Sequence, residues 1–293
     1  MKIIDCVTYF DEPILFEIRL NILNKYVDNF LVIEARHTHS GKPKKLNFNI
    51  DLFKNFKDKI VYLVIDEEPE DLIKNTNLSS ADKRINSLKR IDQSYNKAVD
   101  YLKTAKPNDI FILSDVDEIP NLDNLDLKKI NNKIIIFKQK MFYYKFNLYY
   151  NLIPWFGSKA CRVKDLLSPA LLRHIKTKKY PIWRFDTWFS KLKYSNVKII
   201  ENGGWHFTNI KSPEKILEKF LNFGHHNEYE DQSITVEDIK KMILERKVGY
   251  NHLADKKEGN KIELNSHELI KIPINELPKF IFNMREKYKE FIL

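Results

Sequence analysis

Asp115, Asp117 and Glu118 place three carboxylates within four residues, directly behind the apolar run Ile110-Phe111-Ile112-Leu113-Ser114. Asp109 to Ser114 has the composition of a buried strand, so the carboxylates fall at its C-terminal end. The crevice beyond the strand ends is where open α/β sheets bind ligands. Like charges this close cannot all ionise freely, and a cation or a proton must resolve the crowding. Asp115 and Asp117 are two apart, so in extended chain they point to one side and Val116 to the other. Paired carboxylate oxygens suit a hard divalent ion, Mg²⁺ or Mn²⁺. An acidic loop capping a helix would use the same residue types. The strand before the cluster and the Glu118-Ile119-Pro120 within and after it favour the metal reading.

The elements that must carry this cluster follow from hydrophobic spacing. Ile3 to Phe10 reads as a buried strand, and Pro13 opens a helix with Ile14, Leu15, Ile18, Ile22 and Tyr26 at helical intervals. Phe30 to Ala35 and Lys59 to Ile65 read as further strands, Ala81 to Lys103 as a charged amphipathic helix, and Asn132 to Lys138 as a fifth strand. Strands alternating with helices predict a mostly parallel, Rossmann-type sheet flanked by helices. Beyond about residue 150 the pattern loosens into a short strand (Val197 to Glu201) and helices at Pro213 to Phe223, Val236 to Arg246 and Glu276 to Phe291. The expected division is a nucleotide-binding half, 1–150, and an acceptor-binding half with the C-terminal helices, 151–293, packed as one unit. Neither Gly-x-Gly-x-x-Gly nor a Gly-Lys-Ser/Thr phosphate loop occurs, which argues against a dehydrogenase or a P-loop kinase. A diphosphate would have to be held by a metal and basic side chains.

At 293 residues and 43% hydrophobic, the chain can bury a large core. Its charge of +10 comes from scattered lysine, which reads as a solvated surface and allows attraction to phosphate-rich partners or an anionic membrane face. The two cysteines, Cys6 and Cys161, support no disulfide framework and no zinc pattern, so a reduced cytoplasmic compartment is expected. Asp5 interrupts any signal-peptide core, and no run of 18 apolar residues occurs.

Several segments together resemble glycosyltransferase family 17: Glu17-Ile18-Arg19-Leu20, Val32-Ile33-Glu34-Ala35, Thr38-His39-Ser40-Gly41-Lys42-Pro43-Lys44, Ser114 to Pro120, Gly203-Gly204-Trp205-His206-Phe207 and His226-Asn227-Glu228-Tyr229. The resemblance covers roughly residues 1 to 235. It implies a GT-A-like α/β fold and inverting transfer of a sugar to a hydroxyl of a glycan or lipid-linked glycan. It further implies a UDP-sugar donor, UDP-N-acetylglucosamine in the family's N-acetylglucosaminyltransferases, with Mn²⁺ or Mg²⁺ as cofactor. The family's helix before the metal strand carries Gln-Arg-Asn; here it reads Asp92-Gln93-Ser94-Tyr95-Asn96, without the arginine.

With that reading, Asp115, Asp117 and His206 are the metal candidates. Phe10, Glu34, His39, Lys42, Asn96 and Asp115 are the donor-binding candidates, and Glu118 or Glu228 takes the acceptor's proton. Glu34 closes the second strand on the crevice edge, where a carboxylate could accept from ribose. Lys42 sits in a Gly-Pro loop suited to a diphosphate. Each residue type has a plainer use: surface glutamate, solvated lysine, packed histidine. Among the eight aromatics from Phe142 to Phe156, Tyr150 and Trp155 are the candidate sugar contacts. Arg162 and Arg173 are candidate contacts to phosphate or an acidic acceptor. Two other readings compete. A metal-dependent phosphohydrolase or nucleotidyltransferase would want a second acidic cluster, and a nucleic-acid-binding protein would want a basic stripe. Neither feature stands out, so no nucleic-acid partner is expected. The charge allows peripheral association with the inner face of a membrane.

Overall fold

The computed structural model describes residues 1–181, 183–222, 234–250 and 262–293. The N-terminal part alternates as its apolar spacing requires: β1 (Ile3–Thr8), α1 (Pro13–Leu23), β2 (Asn29–Ala35), β3 (Ile60–Ile65), α2 (Ser80–Asn96), the single turn α3 (Val99–Leu102) and β4 (Ile110–Asp115). β1, β2 and β4 are apolar on both faces and pair in parallel, as strands covered by helices must. Pro13 starts α1, and a capping box between Ser79 and Asp82 starts α2.

Then come β5 (Glu118–Pro120), β6 (Ile134–Phe137), β7 (Gln139–Tyr143), β8 (Leu148–Trp155), β9 (Lys159–Arg162), α4 (Pro169–His174), β10 (Val197–Ile200), β11 (Gly204–Thr208), α5 (Pro213–Asn222), α6 (Val236–Leu244), β12 (Lys247–Tyr250), β13 (Ile262–Glu268), β14 (Ile270–Lys271) and α7 (Lys279–Asn283). One sheet has seven strands in the order β10-β6-β9-β4-β1-β2-β3. Only β9 runs antiparallel to its neighbours β4 and β6, so the sheet is mostly parallel. The second sheet, β14-β8-β7-β11-β5, packs its aromatic strands against the edge of the first core. The boundary expected at residue 150 falls inside β8, and β9 and β10 complete the first sheet from beyond it.

Several expected elements are shorter than their periodicity suggested, three of them for a visible reason. β1 ends at Thr8 because the amides of Phe10 and Asp11 turn to the Glu12 carboxylate. The long helix from Ala81 breaks after Asn96 and resumes as α3. The last helix does not begin at Glu276, because Pro278 bars its predecessor from helical backbone; α7 starts at Lys279. No described helix is long and apolar enough to cross a membrane.

Candidate functional site

β4 ends at Asp115, level with Thr8 on β1, so the acidic turn stands at the C-terminal edge of the sheet. Arg19 on α1 grips that turn from behind. Fully buried, it donates to both Asp5 carboxylate oxygens (2.5 and 2.7 Å) and to the carbonyls of Glu118 (2.6 Å) and Asp115 (3.4 Å). β11 runs alongside with His206 opposite Glu118, and the Phe207 amide donates to the Asp117 carbonyl (2.9 Å). Gly204 permits this pairing. Its φ is +130°, and a Cβ would lie 2.1 Å from the Ile119 carbonyl. The Gly203-Gly204 pair therefore serves close approach between strands.

Two protein cations resolve the crowded charges. Arg173 on α4 donates to Asp115 (2.7 Å) and to both oxygens of Glu118 (2.7 and 2.9 Å). Lys219 on α5 donates to Asp117 Oδ2 (3.3 Å), and His206 Nε2 lies 3.6 Å from the same oxygen. Tyr95 donates its hydroxyl to Asp115 (2.8 Å). Burial pushes the Asp115 carboxyl up to about 6, against the pull of Arg173 and with the repulsion of Glu118 and Asp117. Burial also pushes Asp117 up, but Lys219 and His206 outweigh it and hold the group well below the usual carboxylate range.

A cleft of about 390 Å³ opens over this edge. Thr8, Tyr9, Phe10, Ile33, Ala35, His37 and His39 line one side. Asp115, Val116, Asp117, Arg173, His206 and Lys219 line its floor. Trp155, Thr208, Asn209, Phe220, Ile234 and Met242 line the other side. Trp155 stacks on His206 with centroids 4.4 Å apart.

Of the residues singled out in the sequence, Asp115, Asp117, His206, Phe10, His39, Arg173 and Trp155 meet at this cleft. Burial pushes His39 down to about 4, so its imidazole is neutral at ordinary pH. Others go elsewhere. Glu118 is fully buried and saturated by Arg173, by Trp155 Nε1 (2.8 Å) and by the Asp115 amide (2.9 Å), so it cannot reach an acceptor hydroxyl. Glu34 points to the opposite face of β2, where it ties down the following loop through Lys44, the amides of Asn47 (2.7 Å) and Phe48 (3.0 Å) and the Tyr62 hydroxyl (2.8 Å). Lys42 is exposed and outside the cleft lining, and Lys44 lines it instead. Asn96 is exposed and accepts from the Ala170 amide (3.1 Å), fixing the start of α4. Tyr150 is core, 5.9 Å from Tyr143. Arg162 donates to the Lys128 carbonyl (3.4 Å), away from the cleft. His226 and Glu228 lie outside the described residues.

Lys219, Tyr95 and His37 were not singled out. Lys219 had one signal, the helical spacing of Ile216, Lys219 and Phe220 on a face turned inward.

Fold and site together define an α/β protein with a charged cleft across the ends of its parallel strands. The model of Glycosyltransferase family 17 matches residues 1–293, and the chain belongs to that family. The β-1,4-mannosyl-glycoprotein 4-β-N-acetylglucosaminyltransferases of Homo sapiens and Rattus norvegicus are each 28% identical over 133 residues. Those matches take in 44% of this chain but only 24% and 23% of the relatives' own lengths. The solved structure of HddC from Yersinia pseudotuberculosis complexed with GMP-PN aligns at a TM-score of 0.35 and 11% identity, covering 69% of this chain and 90% of that one.

Proposed function

We propose that this chain is an inverting glycosyltransferase of GT-A-like fold. It would move N-acetylglucosamine from UDP-N-acetylglucosamine to a hydroxyl of a glycan or lipid-linked glycan, with Mn²⁺ or Mg²⁺ as cofactor. The observation that carries the reading is the cleft itself: Asp115, Asp117, His206, Arg173 and Lys219 gathered on its floor, between a wall from the β1 and β2 ends and a wall from the later part of the chain. The single antiparallel strand β9, inserted between β4 and β6 of a parallel sheet, supports the fold assignment.

The donor set fits a hard divalent ion. Asp117 Oδ2 and His206 Nε2, 3.6 Å apart, would be two of its donors. No group of three or more such side chains clusters among the described residues. Mg²⁺ sites commonly take one or two carboxylates and complete the shell with substrate phosphate oxygens. Asp117 and His206, with Asp115 beside them, would hold the ion. When bound, it neutralises charge on the leaving nucleotide. Lys219 and Arg173 are the protein's own cations for the same diphosphate. The ends of β1 and β2 would form the donor wall, where Phe10 offers a ring face and His39 a neutral imidazole. The opposite wall would receive the acceptor, where Trp155 offers a flat face to a sugar ring. With Glu118 sealed, Glu228 is the remaining candidate for the carboxylate that takes the acceptor's proton.

Melting temperature tests the reading, because a ligand that binds only the native state raises it. UDP and UDP-N-acetylglucosamine are expected to stabilise the protein with Mn²⁺ and not in EDTA. Equal stabilisation in EDTA would remove the metal from the proposal, and no stabilisation by any nucleotide sugar would remove the donor.

A further inference from the structure

Between α4 and β10 the chain forms a loop whose tip turns four rings to solvent. Trp183, Phe185, Trp188 and Phe189 are exposed to 76%, 68%, 64% and 88%. Scattered exposed apolar residues are ordinary on a protein surface, but a contiguous group of large ones marks a contact site. The tip has defined geometry. A single helical turn, Phe185–Thr187, buries Thr187, whose hydroxyl donates to the Arg184 carbonyl (2.7 Å). Phe185 and Trp188 meet edge to face at 5.3 Å. The stem is pinned where the Lys176 amide donates to the Leu192 carbonyl (2.9 Å) and the Tyr180 amide to the Tyr194 carbonyl (3.3 Å).

The collar below the rings is basic. Lys176, Lys178, Lys179, Arg184 and Lys191 are exposed, and Lys193 is half-buried. The stretch has one carboxylate, Asp186, already paired with Arg184 (2.7 Å) and Lys193 (2.8 Å). Exposed rings above a positive collar match a surface with an apolar interior and a negative face.

We propose that this loop docks the protein onto an anionic lipid bilayer, with the rings at headgroup level and the lysines against the anionic headgroups. Tryptophan favours that interface because its ring is amphipathic, and lysines near an anionic leaflet add attraction that salt screens. A second copy of the chain is the poorer occupant, since it would set one basic collar against another. The proposal stands on the loop alone and not on the donor reading of the cleft.

The test is co-sedimentation of the full chain with vesicles of phosphatidylcholine alone or mixed with phosphatidylglycerol, read with tryptophan emission. Binding is expected on the anionic vesicles only, with a blue shift and a steep loss in salt. Trp188→Ser/Phe189→Ser should weaken it about tenfold or more through lost ring burial. Lys178→Ser/Lys179→Ser should weaken it roughly 25-fold through lost charge. Leu244→Ser removes another exposed apolar side chain, on α6, and should bind as wild type. Unchanged circular dichroism melts would show that the variants fold. The idea is overturned if anionic vesicles are not bound, if neutral vesicles are bound as well, or if the ring variant binds normally. It is equally overturned if the rings prove to hold a dimer or an RNA while vesicles are ignored.

Discussion

Arg173 and Lys219 make the acidic turn tenable at the residue scale, and they change what a substitution there should do. Asp117 is held well below the usual carboxylate range because Lys219 and His206 lie beside its buried carboxylate. Asp117→Asn removes the charge that would hold an ion, so nucleotide stabilisation by Mn²⁺ should vanish. It also leaves the largely buried Lys219 ammonium without its partner, which costs roughly 1–3 kcal/mol. The ligand-free variant should therefore melt below wild type, although relief of like charges alone would have raised it. The sign with pH follows. A depressed carboxyl contributes stability above its unfolded pKa of about 3.9 and loses it as pH falls toward the folded value. The gap between wild type and variant should close on acidification. A gap constant from pH 7 to acid would show that Asp117 is not held ionised by its neighbours. Asp115, Asp117 and His206 were readable because each sits in a local motif. Lys219 was not, since it lies 102 residues from the carboxylate it neutralises; Arg173 was picked out as a contact to phosphate or an acidic acceptor, and its pairing with carboxylates 55 and 58 residues away was not legible.

At the scale of elements, the motif Glu17-Ile18-Arg19-Leu20 is scaffolding. Arg19 joins α1 to β1 through Asp5 and to the acidic turn through two carbonyls. Arg19→Leu would strand a buried Asp5 charge and should cost about 3–5 kcal/mol, measured by urea unfolding. Adding Asp5→Leu should recover much of that stability. It should not recover nucleotide binding, because the turn's carbonyls would still lack their donor; full recovery of both would make Arg19 a packing residue only. Lys159 on β9 is the second tie. Its buried ammonium donates to the carbonyls of Arg173 and Ile175 at the end of α4. Burial, with Arg173 and Lys176 nearby, pushes it down to about 7, while Glu118 opposes. The unfolded lysine keeps its proton to about pH 10, so between these values the unfolded chain binds more protons and stability rises with pH. Relative to Lys159→Met, wild type should gain on the order of 2 kcal/mol from pH 7 to pH 9 in urea midpoints. A difference that does not move with pH would mean the carbonyls hold the ammonium charged. The strands β1 to β4 were legible because runs apolar on both faces have one use. The second sheet was not, because Gln139–Tyr143 and Leu148–Trp155 mix aromatic and polar residues as a ligand surface would. Nor did anything local mark β9 as antiparallel.

For the whole molecule, the two cysteines report whether the chain unfolds as one unit. Cys6 lies on β1 and Cys161 on β9, each beside β4: Cys6 opposite Leu113 and Cys161 opposite Phe111. Both are buried in the same apolar layer, and burial pushes both thiols up, Cys161 to about 12. Neither can supply thiolate in the native state, so a thiol reagent at pH 8 should leave both untouched. They come from opposite sides of residue 150, yet β4 holds them in one sheet. If that sheet opens only as a whole, both should label at one rate in moderate urea, equal to the global unfolding rate. If the later part of the chain detached first, Cys161 would label ahead of Cys6, as peptide mass spectrometry would show. One rate is the expected outcome, because removing β9 would cut β4 from β6 and β10 and leave the backbone of Ile110–Leu113 unpaired along that edge. The cleft's floor depends on the same strand: the acidic turn leads from β4 into β5, and β5 pairs with β11, which carries His206. A ligand lying across the floor should therefore slow the labelling of both cysteines equally. Protection of Cys6 alone would mean that the two walls respond to the ligand as separate bodies.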